Sequence, residues 1–201
     1  MRACRRGETP AVLAEHGARI TTEYVTARDS NPRHEYRWRR DVYSAVRAGL
    51  AEMTQERCAY CDGYPLGDTG NDQIDHFRPR SRYPALVCTW DNLFLVCAAC
   101  NGVKRDRWHD DLLRPDDADF AFERYFEYRE QTGALAARTD ASDDDRRRAE
   151  MTIRLLDLNR AGKCMRRRET VKLIRAALRD GLAREDVATD IGHRFLISLV
   201  A

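Results

Sequence analysis

From about residue 37 to 56, Trp38, Val42, Ala45, Val46, Gly49 and Met53 recur at helical spacing, and Arg39, Arg40, Arg47 and Glu52 fall on the opposite side. This pattern predicts one amphipathic helix that delivers the chain to Cys58. Beyond it the period is lost. Gly63, Pro65, Gly67, Gly70, Pro79 and Pro84 divide residues 58 to 100 into pieces short enough only for turns and brief strands. "QIDHF" and "NLFLVC" are the predicted strands. After Cys97 the run "AACNGVKRDRW" has no proline and ends in basic residues, which suits a helix C-terminus. "RPDDAD" reads as a connection, and the remainder reads as helical. Ser142 with Asp145 forms a capping box ahead of an apolar face carrying Met151, Ile153 and Leu156 as far as Asn159. A further helix from about 161 to 180 packs Val171, Ile174, Ala177 and Leu178, with Gly181 at its C-terminal cap. There is no repeat and no low-complexity tract.

A length of 201 residues favours one compact domain with appendages, or at most two small ones. At 43% hydrophobic and 34% charged the chain has the composition of a globular protein, not a disordered one. The net charge of +2 carries no global argument for a polyanionic partner, so such an argument rests on the local clusters "RHEYRWRR", "RPRSR" and "KCMRRRE". No apolar run approaches the roughly 20 residues that span a bilayer, and "MRACRRGETP" lacks a signal-peptide apolar stretch. A cytoplasmic protein is expected, whose seven cysteines stay reduced. Cys58, Cys61, Cys97 and Cys100 form two Cys-x-x-Cys pairs, which point to metal rather than to disulfides. Four thiolates make a closed tetrahedral set suited to a structural zinc, with no position left for substrate. The 35 residues between Cys61 and Cys97 exceed an ordinary zinc ribbon, so the metal is expected to tie together the ends of a functional loop. Cys4, Cys88 and Cys164 have no regular partner and read as small thiols.

That loop contains Asp75 and His76, followed by Asn92, Asn101 and Lys104. The series "DH", "DN", "CNGVK" resembles the HNH endonuclease superfamily, in the variant braced by two zinc-binding Cys-x-x-Cys pairs. More narrowly, "CAYCDG", "DHFRPRSRYP", "WDNLFLVCAACNGVKRD" and "TIRLLDLNR" are similar to the HNH subunit of Septu and retron-associated phage defence systems, the PtuB-like proteins. The resemblance implies an α+β fold: a ββα-metal core with a Cys4 zinc, flanked by N- and C-terminal helices. Residues 1–56 are then an arm and helix, 57–110 the zinc-braced nuclease core, and 111–201 a C-terminal helical region.

The same resemblance assigns the catalytic set. His76 is the general base, Asp75 and Asn101 hold a catalytic divalent ion, and Asn92 supports the loop. A neutral imidazole takes protons near neutral pH, and an oxygen donor pair suits magnesium or manganese more than zinc. On a strand Asp75 and His76 point to opposite sides unless the strand ends at the pair, which is what the fold requires. Lys104, three residues after Asn101, is expected on the same helix face with its ammonium on a phosphate. Arg78, Arg80, Arg82 and Arg105 are expected to grip the nucleic-acid backbone. The implied reaction is phosphodiester hydrolysis, on DNA in preference to RNA, with an ATPase partner and a role in phage defence. A zinc nucleobase deaminase would need His-x-Glu and a proline before Cys97, and the chain has neither. A non-catalytic zinc module that binds nucleic acid or protein is the alternative, and it leaves Asp75, His76, Asn92 and Asn101 unexplained. His34 and His109 read as surface residues, and Trp38, Trp90 and Trp108 as core.

Overall fold

The computed structural model describes residues 1–66 and 72–200; Gly67 and Gly70, expected as breakers, lie outside them. Two helices lead into the core, α1 (Ala11–Ser30) and α2 (Arg40–Thr54). The first has no counterpart in the predicted elements. Its buried stripe is only Leu13, Gly17, Ile20 and Tyr24, too sparse to announce itself among fifteen or so polar and small neighbours. The second buries Val42, Val46, Leu50 and Met53, as the period requires, but starts at Arg40. Trp38 therefore precedes the helix, in an extended segment, and is not part of its apolar face.

The helix α2 ends on Gln55 in the left-handed region and hands the chain to the turn carrying Cys58 and Cys61. Strand β1 (Asp72–His76) pairs antiparallel with β2 (Leu93–Cys97), in a register that sets Asp72 opposite Cys97 and His76 opposite Leu93. Leu93, Phe94, Leu95 and Val96 are all buried, so β2 is covered on both faces, which is why it reads as an unbroken apolar run instead of alternating. Helix α3 (Ala98–Lys104) follows at once and packs on the pair, completing ββα. It stops at Lys104, short of the expected Trp108, because Arg105 turns to positive φ.

The C-terminal part is not wholly helical. A single turn, α4 (Phe122–Tyr125), leads into a hairpin of β3 (Phe126–Arg129) and β4 (Ala134–Ala137). The hairpin turns through Gly133 at φ +75, where a Cβ would meet the Cys164 carbonyl oxygen at 2.2 Å. Ser142 caps α5 (Asp143–Leu155), accepting from the Asp145 amide at 3.1 Å. The capping box is only half made, since the Asp145 carboxylate turns to the Arg124 guanidinium at 2.9 Å. Helix α6 (Ala161–Arg179) ends as expected on Gly181, whose amide reaches Leu178 while that of Leu182 reaches Ala177, a Schellman motif.

After α7 (Arg184–Asp190) the chain returns to the cysteine turn. The Arg194 guanidinium donates to Asp62 at 3.0 Å, and Arg57 donates to the Ile191 carbonyl at 3.1 Å. One apolar cluster joins α1, α2, the strands and the C-terminal helices. Among the described residues no helix is long and apolar enough to cross a membrane.

Candidate active site and metal centre

Strand β1 ends at His76, so the Asp-His pair forms the last two positions of the ladder, opposite Phe94 and Leu93. Asp75, His76 and Asn101 line one cleft of about 310 Å³, with Gln73, Arg80 and Arg105 on its rim. Both oxygens of Asp75 are engaged on the side facing α3. The Lys104 ammonium lies 2.9 Å from Oδ2 and 3.2 Å from Oδ1, and the Tyr60 hydroxyl donates to Oδ2 at 2.5 Å. Burial raises the pKa of Asp75, against the pull of Lys104 and Tyr60.

Lys104 departs from expectation. It does share a face with Asn101, since both reach β1, but its side chain is 0% exposed and its ammonium also donates to the His76 carbonyl at 2.8 Å. The group expected on a phosphate is instead an internal counter-charge. A buried ammonium needs every proton accepted, and Asp75 with the His76 carbonyl supplies that.

His76 Nε2 lies 2.9 Å from the Val87 carbonyl oxygen. A carbonyl only accepts, so Nε2 carries the hydrogen and Nδ1 is left as the free acceptor of the neutral ring. Burial pushes the pKa of His76 down to about 4, with Arg80 and Lys104 adding to the shift, so the ring is neutral at pH 7. Two aromatic rings fix its plane. Trp38 stacks on it at 6.0 Å between centroids and 17°, and Tyr36 meets it edge-on at 6.1 Å.

Asn92 is buried and touches no reacting group. Its Oδ1 accepts from the Arg78 amide at 2.8 Å, and its Nδ2 donates to the carbonyls of Arg78 at 3.0 Å and Leu86 at 3.3 Å, which fastens the ends of the loop between the strands. Asn101 Nδ2 donates to Gln73 Oε1 at 2.6 Å, which leaves its carbonyl oxygen without a protein donor among the described residues. Of the four arginines, Arg80 and Arg105 line the cleft. Arg78 lies over the rings of Trp108 and Tyr83, and Arg82 donates to the Asp106 carbonyl at 2.9 Å.

At the other end of the strand pair, the sulfurs of Cys58, Cys61, Cys97 and Cys100 lie within 4.8 Å of one another. A zinc with four bonds of about 2.3 Å places its sulfurs roughly 3.8 Å apart, so this set fits the ion with small adjustment. The turn after α2 supplies one pair, the end of β2 and the first turn of α3 the other. A further group closes the site from α6. Lys163 is buried and donates to the carbonyls of Leu156 at 2.8 Å and Asp157 at 3.1 Å. Burial lowers its pKa, but the negative sulfurs of Cys100 and Cys61 outweigh this and raise it.

Residues 58–107 match the family described as HNH endonuclease. The core has the HNH fold. A stretch of 111 residues is also 29% identical to the Septu protein PtuB of Bacillus thuringiensis, covering 55% of this chain and 39% of that protein. The chain thus spans about two fifths of the length of that relative.

The HNH core draws on residues that carry no signal of their own in sequence. Tyr60 lies inside "CAYC" yet bonds Asp75, Gln73 positions Asn101, and Lys163 arrives from outside the matched segment. Trp38 was visible as a helix residue and not as a partner of His76. Trp90 donates to the Gly7 carbonyl at 2.9 Å and is core, as expected.

Proposed function

We propose that this protein is a metal-dependent HNH endonuclease that hydrolyses phosphodiester bonds of nucleic acid, DNA before RNA, with residues 57–110 as its nuclease core. The observation that supports this reading is that Asp75, His76 and Asn101 line one cleft together with Arg80 and Arg105. The Val87 carbonyl holds the Nε2 hydrogen, so Nδ1 is the atom that takes a proton from water. Trp38 and Tyr36 keep the ring from swinging. Asp75 and Asn101 fit a hard divalent ion in ligand type. Asp75 Oδ1 has only the longer contact from Lys104, and the Asn101 side-chain Oδ1 accepts from no donor among the described residues. Magnesium or manganese bound there supplies charge stabilisation at the phosphate. Lys104 offsets the cost of burying the Asp75 carboxylate, and Arg80 and Arg105 attract and orient the polyanion. The four-cysteine cluster holds a structural zinc.

Similarity to the Septu protein supports a place as the effector nuclease of a phage-defence complex with an ATPase partner. The test is incubation of wild-type protein and His76→Ala with plasmid DNA and with total tRNA, each with magnesium or manganese, with and without a candidate ATPase. Cleavage by wild type alone upholds the reading. Equal products from both proteins, with zinc content unchanged, favour the non-catalytic zinc module.

A further inference from the structure

The segment between α1 and α2 has no regular secondary structure from His34 to Arg39, reaches Arg39 in an extended conformation, and alternates in character. Tyr36 is buried and Trp38 half-buried, while Arg37 and Arg39 between and after them are exposed. The inner side is the aromatic wall behind the His76 ring, and the Tyr36 hydroxyl is anchored to Cys88 Sγ at 3.4 Å. The outer side is basic and unsatisfied. Arg33, Arg37 and Arg40 are exposed, and none has a carboxylate within ion-pairing distance among the described residues; Arg39 alone is paired, with Asp41 at 2.7 Å. Arg124, Arg138 and Arg175, by contrast, are each held by a carboxylate.

The strap is also joined to the arginine loop of the cleft. Arg28, at the end of α1, donates to the Ser81 carbonyl at 3.3 Å. The charge of Arg80, which lines the cleft, bears on both the Tyr36 hydroxyl and the His76 ring. Guanidinium groups left without carboxylates, on the segment whose Tyr36 and Trp38 pack against the His76 ring, suit bidentate phosphate contacts.

We propose that residues 33–40 form a second nucleic-acid grip, in which Arg33, Arg37 and Arg40 hold backbone phosphates while Tyr36 and Trp38 beneath them position the His76 ring. This rests on the nuclease reading above, and it makes strand contact and alignment of the base properties of one element.

The experiment separates the two ideas by measuring binding without cleavage. A His76→Ala protein, with and without the added changes Arg33→Ala, Arg37→Ala and Arg40→Ala, is titrated onto a short fluorescent DNA duplex across a range of salt. Three lost phosphate contacts reduce the slope of log affinity against log salt by about 2.7, at roughly 0.9 per contact. An unchanged slope, or no binding by the parent, overturns the grip. The nuclease reading is judged separately, by whether the wild type cuts. For the inner side, Trp38→Ala lowers kcat by about 10- to 100-fold with KM held, and Trp38→Phe restores most of it. A change confined to KM, or an equal loss in both variants with intact zinc content, overturns the positioning role.

Discussion

The two ends of the β1–β2 ladder hold two sites of opposite design. At the Asp72–Cys97 end, four sulfurs gather, and Lys163 and His193 line the pocket beside Cys61 and Cys97. At the His76–Leu93 end, four residues away, Asp75 and His76 line an open cleft with Asn101. Four cysteines would fill every position of a tetrahedral ion, so a metal held at this end would have a structural role. The open end holds Asp75 and His76 through their neighbours and leaves the Asn101 Oδ1 without a donor among the described residues. A short antiparallel pair is marginal alone. Here its far end meets the four-cysteine cluster, which could hold a metal, and α2 and α3 pack on it.

The sharpest way to break this contrast is at the closed end. Cys58→Ser or Cys100→Ser is expected to release zinc and unfold the core, since binding energies of roughly 10 kcal/mol or more for structural zinc are also folding energies; zinc analysis and circular dichroism check it. His76→Ala at the open end is expected to reduce cleavage by about 10²- to 10⁴-fold while the melting temperature and zinc content stay near wild type. Between the two ends lies Lys104. Lys104→Met strands the buried Asp75 charge and is expected to cost about 3–5 kcal/mol in chemical denaturation, and adding Asp75→Asn should recover much of that. A full-cost loss in the double variant would show that the pair is not what stabilises this interior.

Lys163→Met tests whether the zinc end is completed from outside the HNH segment. Expected is a 10- to 100-fold weaker hold on zinc, the usual scale for groups supporting metal ligands, read by competition with a chromogenic chelator. The smallest effect is on pH. Burial pushes both His76 and His193 down to about 4, from an unfolded value near 6.5. The unfolded chain therefore binds more protons between those values, and stability is lost as pH falls from about 6.5 toward 4. Near pH 5.5 each is expected to cost about 1.4 kcal/mol. Urea midpoints at pH 7.5 and 5.5 check this, and an unchanged midpoint would mean the rings are solvated.

Much of the core was legible because its signals are short-range. Two identical cysteine spacings, an unbroken apolar run for β2, the Ser142 cap and the Gly181 terminus each follow from residues within a few positions. The errors share one cause. Trp38 matched a helical period, yet Tyr36 and Trp38 also alternate with arginines as an extended segment does, and two positions cannot choose between the periods. The β3–β4 hairpin rests on strands of four residues each, too short to stand out from helical neighbours. The helix period sets Lys104 on the face of Asn101 but does not name Asp75 as its partner, because a helix face says which way a side chain points and not what lies there first.

The sequence by itself determined the residue types of both sites and the local elements that carry them, since spacing and turn chemistry act over a few bonds. Only tertiary structure decided that Lys104 serves Asp75 instead of a phosphate, that Trp38 backs His76, and that Lys163 faces the sulfurs. Each of those pairings spans at least 29 residues of chain, from Asp75 to Lys104 upward. Burial and charge neutralisation select such partners from everything the fold brings near, and no local pattern encodes that choice.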